Sequence, residues 1–379
     1  LQHMGFEETE MEGKLSTYRT LFPLTKKSIY LNNAAESPLN TRVHQRLKEY
    51  LQLAAEEPQN KPEVRTRLRQ QLSSIFGGAA DEYALVTSTG IGINIVASGY
   101  QWRAGDNVVV PIDEHWNNTF PWLALRERGV EVRLVEVGED QRVNLDKIAS
   151  MVDENTRILS TAAVRFNSGF RADLRSLSEI AHAKGALLLV DGIQGAGVFP
   201  IDVVDDGIDI LACGGFKWLL GMHGTGFLYI SQKAQEKINP VLPGMFSAES
   251  NLRELHYFPD ARKYETGTIA YSLFHAWTAG LEILQEIGIA NIHTQVLKLT
   301  DRIIVGLRFK NIAITTPVEF VNERSGIISF TMGSEAANQC CFEKLSKHNV
   351  IVTLRGSQIR VSPNFFNTEE EMDRFLELL

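Results

Sequence analysis

The chain has 379 residues, 44% of them hydrophobic, which is enough to bury a large core that we expect to divide into a large and a smaller domain. Its net charge of −8, without a basic stripe, argues against nucleic acid as a partner, and no apolar run is long enough to span a membrane. The three cysteines, Cys213, Cys340 and Cys341, show neither metal-ligand nor disulfide spacing, so we predict no metal site and a reducing, cytoplasmic location.

Seven strand-like runs alternate with amphipathic segments between about residues 82 and 231. The runs are Tyr83–Thr87, Asn107–Val110, Val130–Val135, Arg157–Ala163, Ala186–Val190, Ile208–Cys213 and Gly226–Ile230. This alternation predicts βαβ units and an α/β fold around a mostly parallel, seven-stranded sheet.

The pattern changes after this region. An irregular polar stretch is followed by a predicted helix over Leu273–Ile287 and then by α+β material. We therefore predict an N-terminal segment over residues 4–29, a large domain over 30–262 and a small C-terminal α+β domain over 263–379.

Two of the predicted strands lead to an ionisable residue. Leu187–Val190 leads to Asp191, with Gln194 three residues later, and Ile208–Cys213 leads to Lys217. A carboxylate and an amine at the rim of a parallel sheet are the two groups that pyridoxal phosphate chemistry needs: the lysine forms a Schiff base and the aspartate keeps the pyridine nitrogen protonated. The alternative interpretation is that Asp191 caps a turn and Lys217 is a surface lysine.

Two further segments are candidate parts of the same site. Thr89 and Gly90 follow a strand and open a helix, where backbone N–H groups can bind a phosphate, although an ordinary N-cap would look similar. His115 follows the next strand, and an imidazole there can stack on a ring and move protons, although a loop histidine can also be merely solvated.

From Ile29–Ala35 to Arg360–Pro363 the chain resembles the class V aminotransferase family of fold-type-I pyridoxal phosphate enzymes, which includes cysteine desulfurases, kynureninases and proteins similar to isopenicillin N epimerase. The resemblance implies the fold-type-I architecture, pyridoxal 5′-phosphate as cofactor and a small-molecule substrate that is an α-amino acid. It implies that Thr89 and Gly90 contact the phosphate, that His115 stacks on the ring, and that Gln194 hydrogen-bonds the phenolic oxygen.

The resemblance also implies residues that bind substrate or the neighbouring subunit. Arg360 matches the arginine that grips the substrate α-carboxylate, Arg355 matches a second family arginine, and Asn33 lies in the matching N-terminal motif. Thr268 matches a threonine that reaches the cofactor phosphate of the neighbouring subunit, which implies a homodimer. The alternatives are an ion pair of Arg360 with Glu369 or Glu370, and a plain Gly-Thr turn at Thr268.

Two departures from the family separate this chain from the desulfurases. Gly214-Gly215-Phe216 precedes Lys217 where desulfurases often have Ser-x-His, and the short segment between Arg355 and Arg360 lacks the loop that carries their sulfur-accepting cysteine. Cys340 and Cys341 lie in a helical pattern and are interpreted as structural. We therefore expect an enzyme other than a cysteine desulfurase.

The expected chemistry begins with the loss of the α-proton, after which the carbanion is delocalised over the cofactor. We favour β- or γ-elimination or C–S lyase chemistry. Epimerisation, cyclisation and aminotransfer remain alternatives, and a non-catalytic homologue that binds pyridoxal phosphate is the alternative of a different class.

Overall fold

The computed structural model describes residues 13–57, 63–249 and 253–379, so the first part of the predicted segment 4–29, residues 4–12, lies outside the described residues. The strands are β1 Ile29–Tyr30, β2 Tyr83–Val86, β3 Asn107–Pro111, β4 Glu131–Val135, β5 Thr156–Ala162, β6 Leu187–Asp191, β7 Ile210–Gly214, β8 Gly226–Ile230, β9 Ala313–Ile314, β10 Ile328–Thr331, β11 Val350–Ile351, β12 Thr353–Arg355 and β13 Gln358–Val361. Residues 13–19 are helical. The later α-helices are α1 Thr41–Glu56, α2 Glu63–Phe76, α3 Thr89–Gly99, α4 Phe120–Leu123, α5 Leu145–Met151, α6 Leu174–His182, α7 Gln232–Gln235, α8 Tyr271–Ile287, α9 Ile289–Phe309, α10 Glu335–Lys347 and α11 Glu369–Glu377.

A seven-stranded sheet in the order β2-β8-β7-β6-β5-β3-β4 forms the centre of the larger part. All seven predicted strands are confirmed, and the sheet is mostly parallel as expected, because only β8 runs antiparallel to its two neighbours. Strands β6 and β7 are buried along their whole length, since helices cover both faces of the sheet.

Helices begin where polar side chains satisfy free backbone N–H groups. The side chains of Asn40, Asp173 and Ser334 accept hydrogen bonds from the N–H three residues later and start α1, α6 and α10. Gly185, at φ +76°, follows α6 and takes the left-handed backbone conformation that commonly ends a helix. The predicted long helix is confirmed as α8, which begins two residues earlier than expected.

A second, four-stranded antiparallel sheet, in the order β12-β13-β10-β9, lies in the C-terminal part, as the predicted α+β pattern requires. Its apolar core includes Leu299 and Leu307 of α9 together with Leu31 from the N-terminal part of the chain. Helix α8 instead buries Phe274 and Trp277 in the core of the large sheet. Ile292 and Val296 of α9 belong to the same core as α8, whereas Leu299 and Leu307 belong to the C-terminal core, so the two hydrophobic cores separate within α9. The boundary after residue 262 stays a prediction.

The carboxyl ends of β5, β6 and β7 come together at one edge of the large sheet. In the register of the parallel pairs, Ala162 at the end of β5 lies beside Asp191 at the end of β6, and Asp191 lies beside Ala212 of β7. Ligands of open α/β sheets bind at this edge. In the described part of the chain, no helix is long and apolar enough to cross a membrane.

Glu265 ties the segment before α8 to the large sheet. Its carboxylate is buried, accepts a hydrogen bond from Leu85 N–H at 2.9 Å and pairs with Arg69 at 2.5 Å. Removal of one member of a buried ion pair leaves the other charge uncompensated, so we expect Glu265→Ala to lower the free energy of unfolding by about 3–5 kcal/mol. Urea denaturation followed by circular dichroism measures this loss.

The matched control is Glu254→Ala, because Glu254 pairs with His256 on the exposed surface at 3.0 Å. An exposed pair contributes about 0–1 kcal/mol, so this variant should unfold close to the wild-type midpoint. Equal stability losses for the two variants would contradict the role given to Glu265.

Candidate active site

A cleft opens at the carboxyl ends of β5, β6 and β7, and we call it the central cleft. The residues that line it are Ser88, Thr89, Glu114, His115, Asn117, Ala162, Val164, Phe166, Asp191, Ile193, Gln194, Phe216 and Lys217. Five of the predicted site residues are therefore brought together here, namely Thr89, His115, Asp191, Gln194 and Lys217.

Lys217 lies on the turn that follows β7. Burial and the nearby charge of Arg360 lower the pKa of its amine to about 8, although Asp191 acts in the opposite direction. The uncharged form, which reacts with carbonyl groups, is therefore more populated at neutral to mildly alkaline pH than in an ordinary lysine. Lys217 is not the surface lysine of the alternative interpretation.

The two glycines before Lys217 allow the turn to pack closely. A Cβ on Gly215 would lie 2.6 Å from Thr225 Oγ1 and 2.9 Å from the Trp277 ring, and a Cβ on Gly214 would lie 3.2 Å from the Phe216 ring. The Trp277 indole N–H also donates to Leu219 O at 3.0 Å. Gly215 thus occupies a position with no room for a side chain, while Phe216, at the histidine position of the Ser-x-His pattern, places a larger ring in the central cleft.

Asp191 lies at the end of β6 with 2% of its surface exposed. Its Oδ1 accepts a hydrogen bond from Ile193 N–H at 3.0 Å, so it caps a turn as well as lining the central cleft. Burial raises the pKa of the carboxyl group to about 6, while the Ile193 hydrogen bond and Lys217 favour the ionised form. A cation placed next to Asp191 would be stabilised by this carboxylate, because the protein compensates its charge only in part.

Both ends of the Gln194 amide have protein partners. Its Nε2 donates to Ala34 O at 2.9 Å, and its Oε1 accepts from the Trp218 indole N–H at 3.0 Å. These contacts fix the orientation of the amide and leave the second Nε2 hydrogen for a further acceptor in the cleft.

His115 forms one wall of the central cleft. Its Nδ1 accepts a hydrogen bond from Asn117 N–H at 3.2 Å, which places the proton of the neutral ring on Nε2. The ring meets Phe166 edge to face at 5.4 Å. Burial, Lys217 and Arg355 all lower the pKa of His115, so the imidazole is neutral at physiological pH.

Thr89 and Gly90 form the first turn of α3, at the mouth of the central cleft. Ser88 is the N-cap of α3, because its hydroxyl oxygen accepts a hydrogen bond from Ile91 N–H at 3.2 Å. The segment therefore contains an ordinary N-cap at Ser88, as the alternative interpretation expects. Thr89 Oγ1 accepts from Gly214 N–H at 2.9 Å, which leaves its hydroxyl hydrogen free to donate. A helix N-terminus with such donors attracts an anion.

Arg360 is a buried cation beside Lys217. Its Nη1 donates to Phe166 O at 2.6 Å, while its Nε has no hydrogen-bond partner in the described part of the chain. Burial and Arg355 lower the pKa of its guanidinium to about 10. The alternative pairing with Glu369 is not observed, because Glu369 pairs with Lys298 and Arg302.

Arg360, Arg355 and Asn33 lie outside the residues that line the central cleft. The Arg355 guanidinium stacks on the Phe166 ring at 4.7 Å, so it shares a neighbour with Arg360. Asn33 is fully buried and its Nδ2 donates to Ser362 O at 2.9 Å, while its Oδ1 has no partner among the described residues.

Thr268 does not reach the cleft of its own chain. It is exposed and lies just beyond the buried Glu265. Its predicted contact with a neighbouring subunit stays a prediction.

The residues present fit pyridoxal phosphate, which offers a phosphate, a phenolic oxygen, an aldehyde and a ring nitrogen. The first turn of α3 supplies donors for an anion, Gln194 has a spare N–H, Lys217 is an uncharged amine in part, and Asp191 is a buried carboxylate. The partnerless Nε of Arg360 adds a donor for a second anion.

Sequence reasoning missed several residues of the central cleft. Phe166 contacts His115, Arg355 and Arg360, yet nothing in its local sequence indicates this. Glu114 precedes His115 and is buried, and its position in that segment was the available signal. Phe216, next to Lys217, also lines the cleft.

Comparisons with known proteins agree with this arrangement. The sequence model of the family described as aminotransferase class-V matches residues 29–375. A probable cysteine desulfurase of Methanothermobacter thermautotrophicus is 30% identical over 392 aligned residues, which cover 94% of this chain and 95% of the relative. An uncharacterized aminotransferase of Bacillus subtilis, YcbU, is 28% identical, with 96% of each chain covered.

Solved structures share the fold. The apo structure of a cysteine desulfurase from Thermococcus onnurineus superposes with a TM-score of 0.87 at 24% identity, over 95% of this chain and 96% of that one. The cystine C–S lyase C-DES, in complex with its reaction product cysteine persulfide, has a TM-score of 0.87 at 22% identity, over 94% and 98% of the two chains. Because the family match spans nearly the whole chain and contains every residue of the central cleft, the chain belongs to the aminotransferase class V family of pyridoxal phosphate-dependent enzymes.

Proposed function

We propose that the chain is a lyase that breaks a C–S bond in an α-amino acid by β-elimination. The observation that carries the proposal is the proximity of Lys217, an amine of lowered pKa, to Arg360, a buried guanidinium with no carboxylate partner among the described residues. The guanidinium can hold a substrate α-carboxylate while the amine takes a proton from Cα. Relatives named as cysteine desulfurases and a cystine C–S lyase support a sulfur-containing substrate.

The residues of the central cleft would hold the cofactor from several sides. Thr89 and Gly90 would bind its phosphate, Asp191 would face the ring nitrogen, and His115 would pack on the ring. Gln194 would donate its spare N–H to the phenolic oxygen. When bound, pyridoxal phosphate supplies an electron sink for charge that develops at the substrate Cα.

Lys217 and His115 would move the protons of the reaction. The Lys217 amine removes the Cα proton, which its lowered pKa permits near neutral pH. Nε2–H of the neutral His115 can donate a proton to the departing sulfur. The aromatic rings of Phe166 and Phe216 flank this region and exclude water.

For cysteine, the Cα–H and Cβ–S bonds break and a Cα–Cβ double bond forms from the electron pair of the Cα–H bond. The sulfur leaves with the electron pair of the Cβ–S bond and takes up a proton. Water then releases the nitrogen, so that cysteine and one water give pyruvate, ammonia and hydrogen sulfide. No external oxidant or reductant is required.

The cysteines of the chain support elimination rather than sulfur transfer to the protein. Arg355 and Gln358 are joined by a turn of two residues, Gly356 and Ser357, which carries no cysteine. Cys213 is buried and burial raises its pKa, so it stays a thiol. Cys340 and Cys341 lie on α10, and none of the three is among the residues that line the central cleft.

A homodimer with shared sites is part of the proposal. Thr268 is exposed, and the segment before it is held on the sheet by Glu265. Trp116 and Phe120 stack on each other next to His115 and are 68% and 60% exposed, which is a typical composition for a contact surface. The proposed partner contact would place Thr268 near the cofactor phosphate of the neighbouring subunit.

A panel of amino acids with product analysis tests the reaction type. We expect cysteine, cystine or a thioether analogue to give a 2-oxo acid, ammonia and a sulfur product in equal amounts. Lys217→Ala should lower turnover by more than about 100-fold, because a positioned acid–base group contributes roughly 10²–10⁴. Chromatography of the products and a sulfide assay provide the measurement.

Other products would point to other members of the family. Alanine with sulfane sulfur would indicate a desulfurase, a D-amino acid would indicate epimerisation, and a 2-oxo acid formed only with an added amino acceptor would indicate aminotransfer. Each of these outcomes overturns the elimination proposal, as would a Lys217→Ala variant with wild-type turnover.

Arg360→Ala should weaken substrate binding by roughly 2–5 kcal/mol while the absorbance of the lysine-bound cofactor is retained. Arg360→Lys should restore binding only in part, because lysine lacks the planar bidentate fork. The Arg360 charge also lowers the pKa of Lys217, so in Arg360→Ala the alkaline rise of activity should move to higher pH. Steady-state kinetics as a function of pH measure both effects.

The control is Arg302→Ala, since Arg302 is an exposed arginine that pairs with Glu369 and Asp373. Its kinetics should match wild type. If Arg360→Ala and wild type share the same KM and pH profile, the substrate carboxylate is held elsewhere.

The cofactor-free Asp191→Asn variant should be more stable than the cofactor-free wild type at pH 8. Burial raises the pKa of Asp191 from 3.8 to about 6, so its stabilising contribution is complete below pH 4 and is lost as the pH rises through 6. A difference of one in pKa corresponds to ~1.4 kcal/mol, which gives a gain of about 3 kcal/mol for the neutral asparagine. Urea unfolding at pH 4, 6 and 8 measures the difference.

We expect this difference to shrink toward zero at pH 4, where the aspartic acid is neutral as well. The same variant should bind pyridoxal phosphate more weakly, because the charge that faces the ring nitrogen is lost. A variant that is less stable than wild type at all three pH values would contradict the assigned burial cost.

A further inference from the structure

A buried ion pair lies behind the Asp191 end of the central cleft. Glu114 and Arg165 are 4% and 2% exposed, and Glu114 Oε1 lies 3.8 Å from Arg165 Nη1. Glu114 Oε1 also accepts from Ala162 N–H at 3.2 Å, while Arg165 Nη2 donates to Ile112 O at 3.1 Å. In the described part of the chain, Glu114 Oε2 and Arg165 Nε and Nη1 have no hydrogen-bond partner.

Glu114 is a close neighbour of Asp191. The backbone N–H that Glu114 binds belongs to Ala162, whose partner on the adjacent strand is Asp191, and neighbouring strands lie ~4.8 Å apart. Both carboxylates line the central cleft. Burial raises the pKa of Glu114 to about 7, and the Asp191 charge acts in the same direction, while the Arg165 charge and hydrogen bonds from Ala162 and Asn118 favour the ionised form.

Ionised Asp191 and Glu114 carry two negative charges at this end of the cleft. The Arg165 charge is paired with Glu114, and the protein cation that acts on Asp191 is Lys217. Because Lys217 is the residue proposed to bond to the cofactor, a protonated ring nitrogen would be the cation that faces Asp191 in the loaded protein. Without the Glu114 charge, Arg165 would be left uncompensated in a site of low dielectric, where it would attract Asp191 and repel the ring cation.

We propose that Glu114 is a positioning residue that neutralises Arg165 and thereby reserves the Asp191 carboxylate for the protonated ring nitrogen of the cofactor. The inference rests on the proposed binding of pyridoxal phosphate in the central cleft. It assigns Glu114 an electrostatic role through Asp191 and not a contact with substrate. A merely structural pair would join the chain after β3 to the chain after β5 and would leave ring protonation unchanged.

Three variants of the full-length protein separate these roles, namely Glu114→Gln, Arg165→Met and the double variant. The probes are the dissociation constant of 4′-deoxypyridoxine 5′-phosphate, which cannot bond covalently to Lys217, and the ¹⁵N chemical shift of ring-labelled pyridoxal phosphate in the protein. Glu114→Gln should weaken binding of the analogue about 10-fold or more and move the ¹⁵N signal toward the unprotonated position.

The other two variants lack an uncompensated Arg165 charge. Both should keep the pyridinium ¹⁵N signal, and the double variant should bind the analogue within about 3-fold of wild type. The matched control is the Asp106–Arg157 pair, joined at 2.7 Å at the opposite edge of the same sheet. Asp106→Asn and Arg157→Met should leave both readouts unchanged.

The inference is overturned if Glu114→Gln keeps the wild-type ¹⁵N signal and affinity, or if the losses of the two single variants add in the double variant. If Glu114→Gln does not fold, the double variant decides, because loss of its pyridinium signal overturns the proposal. A wild-type protein that binds neither the analogue nor pyridoxal phosphate would instead overturn the proposed function, and the inference with it.

Discussion

The burial of ionisable groups at the carboxyl edge of the parallel sheet is the constraint on which the site depends. Water is excluded there, so the charged form of every group is penalised. The pKa values of Lys217 and Arg360 are lowered, and those of Asp191 and Glu114 are raised. Burial thus produces an amine that can act as a base, carboxylates that a nearby cation would stabilise, and a guanidinium that a nearby anion would stabilise.

The position of Lys217 depends on packing far from the chemistry. The turn that carries it is closed by Gly221 N–H, which donates to Gly215 O at 2.8 Å, and it lies against Trp277 of α8. Helix α8 in turn packs against α1 and α2, and none of the site residues lies on these two helices. Gly215 therefore serves the close approach of the turn to Trp277, since a Cβ at this position would lie 2.9 Å from the indole ring.

Much of this arrangement could be predicted from the sequence, because the relevant signals are local. The apolar runs that lead to Asp191 and Lys217 predict the two strands, and they also predict that both residues lie at the carboxyl edge of the sheet. The rest depends on contacts between distant segments: Arg360 donates to the carbonyl of Phe166, and Arg165 lies beside Glu114. Neither contact has a spacing that a sequence pattern could reveal. The separation of the hydrophobic cores within α9 could not be predicted either, because helix periodicity indicates a buried face but not the core against which that face packs.

The desulfurase reaction and the elimination proposed here differ in the fate of the sulfur, which passes to a protein thiol in one and leaves as sulfide in the other. They differ also in the carbon product, which is alanine for the desulfurase and a 2-oxo acid with ammonia for the elimination. Desulfurases and C–S lyases both require a held carboxylate, a base at Cα and an electron sink, and the roles proposed for Arg360, Lys217 and the bound cofactor would serve either reaction. A desulfurase also needs a thiolate that can approach the substrate sulfur. In this chain Arg355 and Arg360 are separated only by a tight turn and the first residues of β13. Cys213, the cysteine nearest in sequence to Lys217, is buried in β7 as a neutral thiol. No cysteine is among the described residues that line the central cleft, which supports the proposed departure of the sulfur from Cβ to solvent.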